Sequence, residues 1–114
     1  FDEIMLYENF LTEDATMVIV AYGSVARTAK SAVLQLRQEG KKAGLLKLST
    51  LWPFPRRAVE ALPQTVRELY VPEMNMGQIY REVLRVNQGR RKVRKINKVD
   101  GELITPQEIL RAVI

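Results

Sequence analysis

The chain has 114 residues, 46% of them apolar, and a formal net charge of +5 with neither Cys nor His. That length and apolar content describe one globular domain with a core of its own. Without Cys or His it has no disulfide, no thiolate or imidazole catalytic group, and none of the usual ligand sets for zinc or an iron–sulfur cluster.

In chain order, Ile4, Tyr7 and Phe10 are spaced like one face of a helix. Residues 1–12 are therefore expected to be a helical lead-in from a preceding domain, with residues 1–114 otherwise a single domain of a longer subunit. Met17 to Tyr22 is a continuous apolar run ending at Gly23, the pattern of a strand buried on both faces of a parallel sheet. It is also the longest such run, far too short to span a membrane, and no charged-then-apolar leader opens the chain. A cytoplasmic protein without a membrane partner is the expectation. Val25, Ala29, Ala32, Val33 and Leu36 then recur at helical spacing, with Ser24 placed to cap this helix and Gly40 to end it.

A second strand is expected from Ala43 to Leu48, then a rigid turn through Trp52-Pro53-Phe54-Pro55 and a short helix from Arg57 to Leu62. Val66 to Val71 reads as a third strand closed by Pro72, and Ile79, Tyr80, Val83 and Val86 as the face of a helix ending near Gly89. Lys92 to Val99 alternates loosely, Asp100-Gly101 marks a turn, and Leu103-Ile104 is a candidate short extended piece. Thr105-Pro106-Gln107-Glu108 is a strong helix start, with Thr105 as cap and Glu108 completing a capping box. Alternating strands and helices predict a three-layer α/β fold, a mostly parallel sheet of about five strands with helices on both faces.

On such a sheet, ligands and partners meet the carboxyl ends of the strands. Three segments fall there. Gly23 and Ser24 form a candidate anion site at a helix start, or simply a tight turn and a cap. A dinucleotide fingerprint is excluded, because Val25 and Thr28 stand where it needs glycines and the second strand ends in Lys47-Leu48 with no acid for a ribose. Trp52 and Phe54 are candidate interface anchors, or fold back over the core. Glu73, Asn75, Gly77 and Gln78 form a polar cluster suited to a domain or subunit contact, or to a satisfied loop before a helix. Glu73 has no identifiable acid–base mate, so no paired-carboxylate mechanism is supported.

A basic run, Arg90, Arg91, Lys92, Arg94 and Lys95, reads either as an edge strand blunted by charge or as a docking patch. Its candidate partners are an acidic protein, an anionic cofactor and, least favoured, nucleic acid.

Taken together, Val18 to Ser24, Leu51 to Pro55, Glu73 to Gln78 and Asn97 to Pro106 resemble, in collinear order, the end of the alpha subunit of the 2-oxoacid:ferredoxin oxidoreductases, most closely the 2-oxoglutarate type. The resemblance implies a transketolase carboxy-terminal-like fold. It also implies a holoenzyme that oxidatively decarboxylates a 2-oxoacid, forms an acyl-coenzyme A and passes electrons to ferredoxin. Thiamine diphosphate, magnesium and the iron–sulfur cluster would be held by other domains. This segment would contact the rest of the alpha subunit and the beta subunit, and would carry no catalytic, cofactor or metal-binding residue.

Overall fold

The structure, a computed structural model, describes residues 7–49, 56–73, 78–97 and 105–113. Its elements are β1 (Tyr7–Phe10), β2 (Met17–Tyr22), α1 (Ser24–Gln38), β3 (Ala43–Leu48), α2 (Arg56–Glu60), β4 (Glu68–Glu73), α3 (Gln78–Asn87), β5 (Lys92–Asn97) and α4 (Pro106–Val113). The five strands form one sheet in the order β1-β3-β2-β4-β5. Four are parallel, and β1 pairs antiparallel with β3 at one edge.

Alternation along the buried strands divides the core in two, because successive side chains of a strand point to opposite faces. Val18 and Val20 of β2, Leu46 and Leu48 of β3, and Leu69 and Val71 of β4 pack with α2 and α3. Their neighbours Ile19, Ala21, Leu45 and Tyr70 pack instead with α1 and with Ile109 of α4. The stripe of α1 that meets the sheet is mostly alanine, Ala26, Ala29 and Ala32, with Val33 and Leu36. Small side chains let the helix axis lie close to the strands. The helix ends in a Schellman motif: the Gly40 N–H donates to the Arg37 carbonyl and the Lys41 N–H to that of Leu36, with Gly40 at φ +87°.

The expected helical lead-in over residues 1–12 is not what residues 7–10 form; they are strand β1, registered from Tyr7↔Leu48 to Phe10↔Leu45. A spacing of three residues marks one face in a helix but opposite faces in a strand. Accordingly, Tyr7 packs on the core beneath α2 and α3, and Phe10 on the core beneath α1. Aromatic residues that can fill both faces beside an open sheet edge favour the strand.

Strand β4 starts two residues later than expected and runs through Pro72, which was expected to close it. On the β5 side, pairing continues through Pro72↔Ile96 to Glu73↔Asn97. On the β2 side it stops at Ile19↔Tyr70. A proline has no N–H for a ladder, so a strand tolerates it where one side is unpaired. The candidate extended piece at Leu103-Ile104 lies outside the described residues. The capping box is formed: the Thr105 N–H donates to Glu108 Oε1 (2.9 Å) and the Glu108 N–H to Thr105 Oγ1 (3.2 Å).

Candidate interaction edges of the sheet

After β2 the chain crosses to β3 on one side, then returns to place β4 on the other. The direction of winding therefore reverses between β2 and β4, and the crevice outside their carboxyl ends is the topological switch point. Gly23 follows β2 directly, Glu73 is the last residue of β4 and Gln78 the first of α3. The fold thus brings Gly23 of the candidate anion site and two of the expected contact positions, Glu73 and Gln78, to one end of two adjacent strands. Trp52, Phe54, Asn75 and Gly77 lie outside the described residues.

Ser24 does not cap α1. The N-cap is Gly23 (φ 66°, ψ −141°), which offers no side-chain cap bond, and Ser24 is the first helical residue. The positive φ explains the correction, since that backbone shape suits glycine and not serine. Gly23 also lines an open cleft of about 770 Å³ between the start of α1 and the β1–β3 edge. Arg27, Lys30 and Lys47 face this cleft, with Tyr7 and Phe10 in its wall. Its charges are partly engaged: Lys30 Nζ lies 4.8 Å from the centre of the Phe10 ring, and Lys47 Nζ is 3.9 Å from Glu8 Oε1.

The basic run resolves into residues with different tasks. Arg91 is half-buried and ties the strand to the loop before β4. Its Nε donates to the Val66 carbonyl (2.9 Å) and its Nη2 to those of Leu62 (3.0 Å) and Pro63 (3.2 Å). Burial, and after it the charge of Arg90, lowers its pKa, but a guanidinium starts so high that it stays charged at neutral pH. Buried Asn87 clamps the Arg91 main chain from both sides, accepting from its N–H (3.1 Å) and donating to its carbonyl (2.7 Å). Lys95 Nζ lies 5.1 Å from the centre of the Tyr80 ring. Arg90, Lys92 and Arg94 are exposed.

One cation that the basic run did not include belongs with it. Arg67 precedes β4, and its carbonyl accepts from the Lys92 N–H at 3.1 Å, so the starts of β4 and β5 lie side by side. Arg67, Arg90, Arg91 and Lys92 line a shallow basin of about 640 Å³ at the amino end of the sheet. An isolated arginine 23 positions before Arg90 gives no sign of this in sequence; only the parallel register of β4 and β5 brings it there.

The chain has no Cys or His, and no group of three or more Asp or Glu among the described residues is placed to hold a metal ion. Nor is any helix among them long and apolar enough to cross a membrane.

Sheet order, winding and helix placement define the class: an α/β domain of the transketolase carboxy-terminal type. A split-gene transketolase solved as an inactive β4 tetramer superposes with a TM-score of 0.77 at 22% identity, over 93% of this chain and 40% of that one. Residues 15–109 match the family described as pyruvate:ferredoxin oxidoreductase core domain II, and the chain belongs to it. It is 40% identical over 113 residues to the 2-oxoglutarate synthase subunit KorA of Methanothermobacter thermautotrophicus, covering 99% of this chain and 30% of that subunit. The 2-oxoglutarate:ferredoxin oxidoreductase from Magnetococcus marinus, solved with 2-oxoglutarate, coenzyme A and succinyl-CoA bound, superposes with a TM-score of 0.76 at 25% identity, over 94% of this chain and 19% of that one. The chain thus spans under a third of the length of these oxidoreductase subunits.

Proposed function

We propose that this chain is a non-catalytic assembly domain of a cytoplasmic, thiamine-diphosphate-dependent 2-oxoacid:ferredoxin oxidoreductase. The holoenzyme would oxidatively decarboxylate a 2-oxoacid to an acyl-coenzyme A and pass the electrons to ferredoxin. Thiamine diphosphate, magnesium and the iron–sulfur cluster would be held by other parts of the enzyme. The observation that carries the reading is the pairing of close similarity to KorA over 99% of the chain with a sequence that lacks any Cys or His to ligate a cluster.

In this reading the chain contributes the carboxyl edge of its sheet. Trp52 and Phe54 come after β3, Glu73 ends β4, and Asn75, Gly77 and Gln78 come after it; these residues contact the rest of the alpha subunit and the beta subunit. Gly23 and Ser24 supply a turn whose free N–H groups suit a partner carboxylate. Aromatic side chains lose little entropy on ordering and the adjacent prolines narrow the backbone's choices, which suits Trp52 and Phe54 as anchors.

The test is reconstitution. The chain alone should bind no thiamine diphosphate by calorimetry and should oxidise no 2-oxoacid. In the intact enzyme, the double substitution Trp52→Ala, Phe54→Ala should weaken subunit association at least tenfold by sedimentation. Tight cofactor binding by the chain alone, or unchanged association in the double variant, would remove the reading.

A further inference from the structure

We infer that the basin at the amino end of the sheet, built from Arg67, Arg90 and Lys92 around the structural Arg91, docks a carboxylate-rich surface of an acidic protein. This goes beyond the assembly reading. The basin lies at the opposite end of the strands from the switch point, about 20 Å away for six-residue strands.

Charge is the first argument. Four cations line one concave surface whose only carboxylate among the described residues is Glu68. That carboxylate is already engaged, accepting a hydrogen bond from the Tyr70 hydroxyl at 2.9 Å. Among the described residues, Arg67, Arg90 and Lys92 make no ion pair, whereas Arg37, Lys47, Arg56 and Arg85 each do. Arg90 is close enough to Arg91 to depress its basicity. Like charges gathered this way repel one another, and an incoming anion relieves that repulsion.

Geometry is the second argument. Arg91 spends its Nε and Nη2 on three main-chain carbonyls, which fixes the floor of the basin beside the parallel starts of β4 and β5. The three remaining cations project from this fixed base and are exposed. Planar guanidinium groups take carboxylates with two parallel hydrogen bonds, a match a lone lysine does not offer. A protein is favoured over single-stranded nucleic acid because no aromatic side chain among the described residues lines the basin for base stacking. Nearby Tyr70 is buried and Tyr80 lies under Lys95.

The experiment titrates the 114-residue chain with poly-L-glutamate of about fifty residues, and in parallel with single-stranded RNA of equal charge, at low and at physiological salt. The triple variant Arg67→Gln, Arg90→Gln, Lys92→Gln leaves Arg91 and the fold intact. A control carries Arg27→Gln, Arg81→Gln, Arg111→Gln, the same charge loss on exposed residues away from the basin. The expected result is salt-sensitive binding of poly-L-glutamate that falls at least tenfold in the basin variant and no more than about threefold in the control. Equal losses in the two variants would reduce the effect to net charge and overturn the inference. So would the absence of binding. Tighter, basin-dependent binding of RNA would overturn it in favour of nucleic acid.

Discussion

Arg91 and Val66, twenty-five residues apart, are joined by a 2.9 Å hydrogen bond from guanidinium Nε to main-chain carbonyl. With the bonds from Nη2 to Leu62 and Pro63, one side chain ties down three carbonyls of the α2–β4 loop, of which that of Pro63 also accepts from the Val66 N–H. Replacing it by Ala should cost about 2–3 kcal/mol, since bonds to a charged donor are the stronger kind. Lys should rescue little, having no planar fork to reach three acceptors. Neighbouring exposed Arg90→Ala should stay within about 0.5 kcal/mol. Urea denaturation of the three variants separates a structural cation from a surface one.

Gly44 sits against the loop that follows β1. A Cβ there would lie 2.7 Å from the Leu11 carbonyl oxygen and 3.0 Å from Thr12 Cα. That carbonyl is held at 2.8 Å by Arg37 Nη2, and Leu11 already has φ 57°, so the loop has no easy way to yield. Gly44→Ala should destabilise by about 1–3 kcal/mol. A melting temperature unchanged within a degree would contradict this.

Asp14 and Arg37 form an exposed pair at 2.7 Å. The hydrogen bond from Arg37 holds the Asp14 carboxyl below its ordinary range; burial opposes it, and the charge of Arg37 adds to it. A depressed folded pKa gives stability that is present above the unfolded value, near pH 4, and lost as pH falls through the folded one. The wild-type urea midpoint should therefore fall more between pH 6 and pH 2.5 than that of Asp14→Asn. Parallel curves for the two proteins would rule out this contribution.

Thr105→Ala should cost about 1 kcal/mol, by removing the side-chain half of the capping box. Ile109, one turn further on, is fully buried against α1, so the loss should appear in global unfolding and not only as local fraying. Thr105→Ser, which keeps the hydroxyl, should recover most of it. Thermal melts of the pair provide the check.

Much of the fold was legible in sequence because buried parallel strands and amphipathic helices write their periods plainly. Met17–Tyr22 and Ala43–Leu48 have the bounds expected for them, and the Thr105–Glu108 box forms as read. The misreadings share a physical cause: residues whose local pattern is ambiguous until a neighbouring strand is known. Tyr7 and Phe10 fit a helix until β3 offers an edge. Pro72 ends a strand unless one side of that strand is free. Ser24 looks like a cap until Gly23 takes the left-handed turn. In the basic run, sequence showed the charge but not its division, because the partners of Arg91 and the proximity of Arg67 depend on long-range register.

The incomplete pairing of β2 with β4 gives the sheet a seam. Three residue pairs stitch it at the amino end, from Met17↔Glu68 to Ile19↔Tyr70, whereas β2 and β3 are joined along all six. A load borne at the carboxyl ends acts like a thumb on an open zip, concentrated on the last stitch, Ile19 to Tyr70. The strands on either side, each firmly laced to its outer neighbour, would move as two halves, and the amide protons beside Tyr70 would be the first in the sheet to report it in hydrogen exchange.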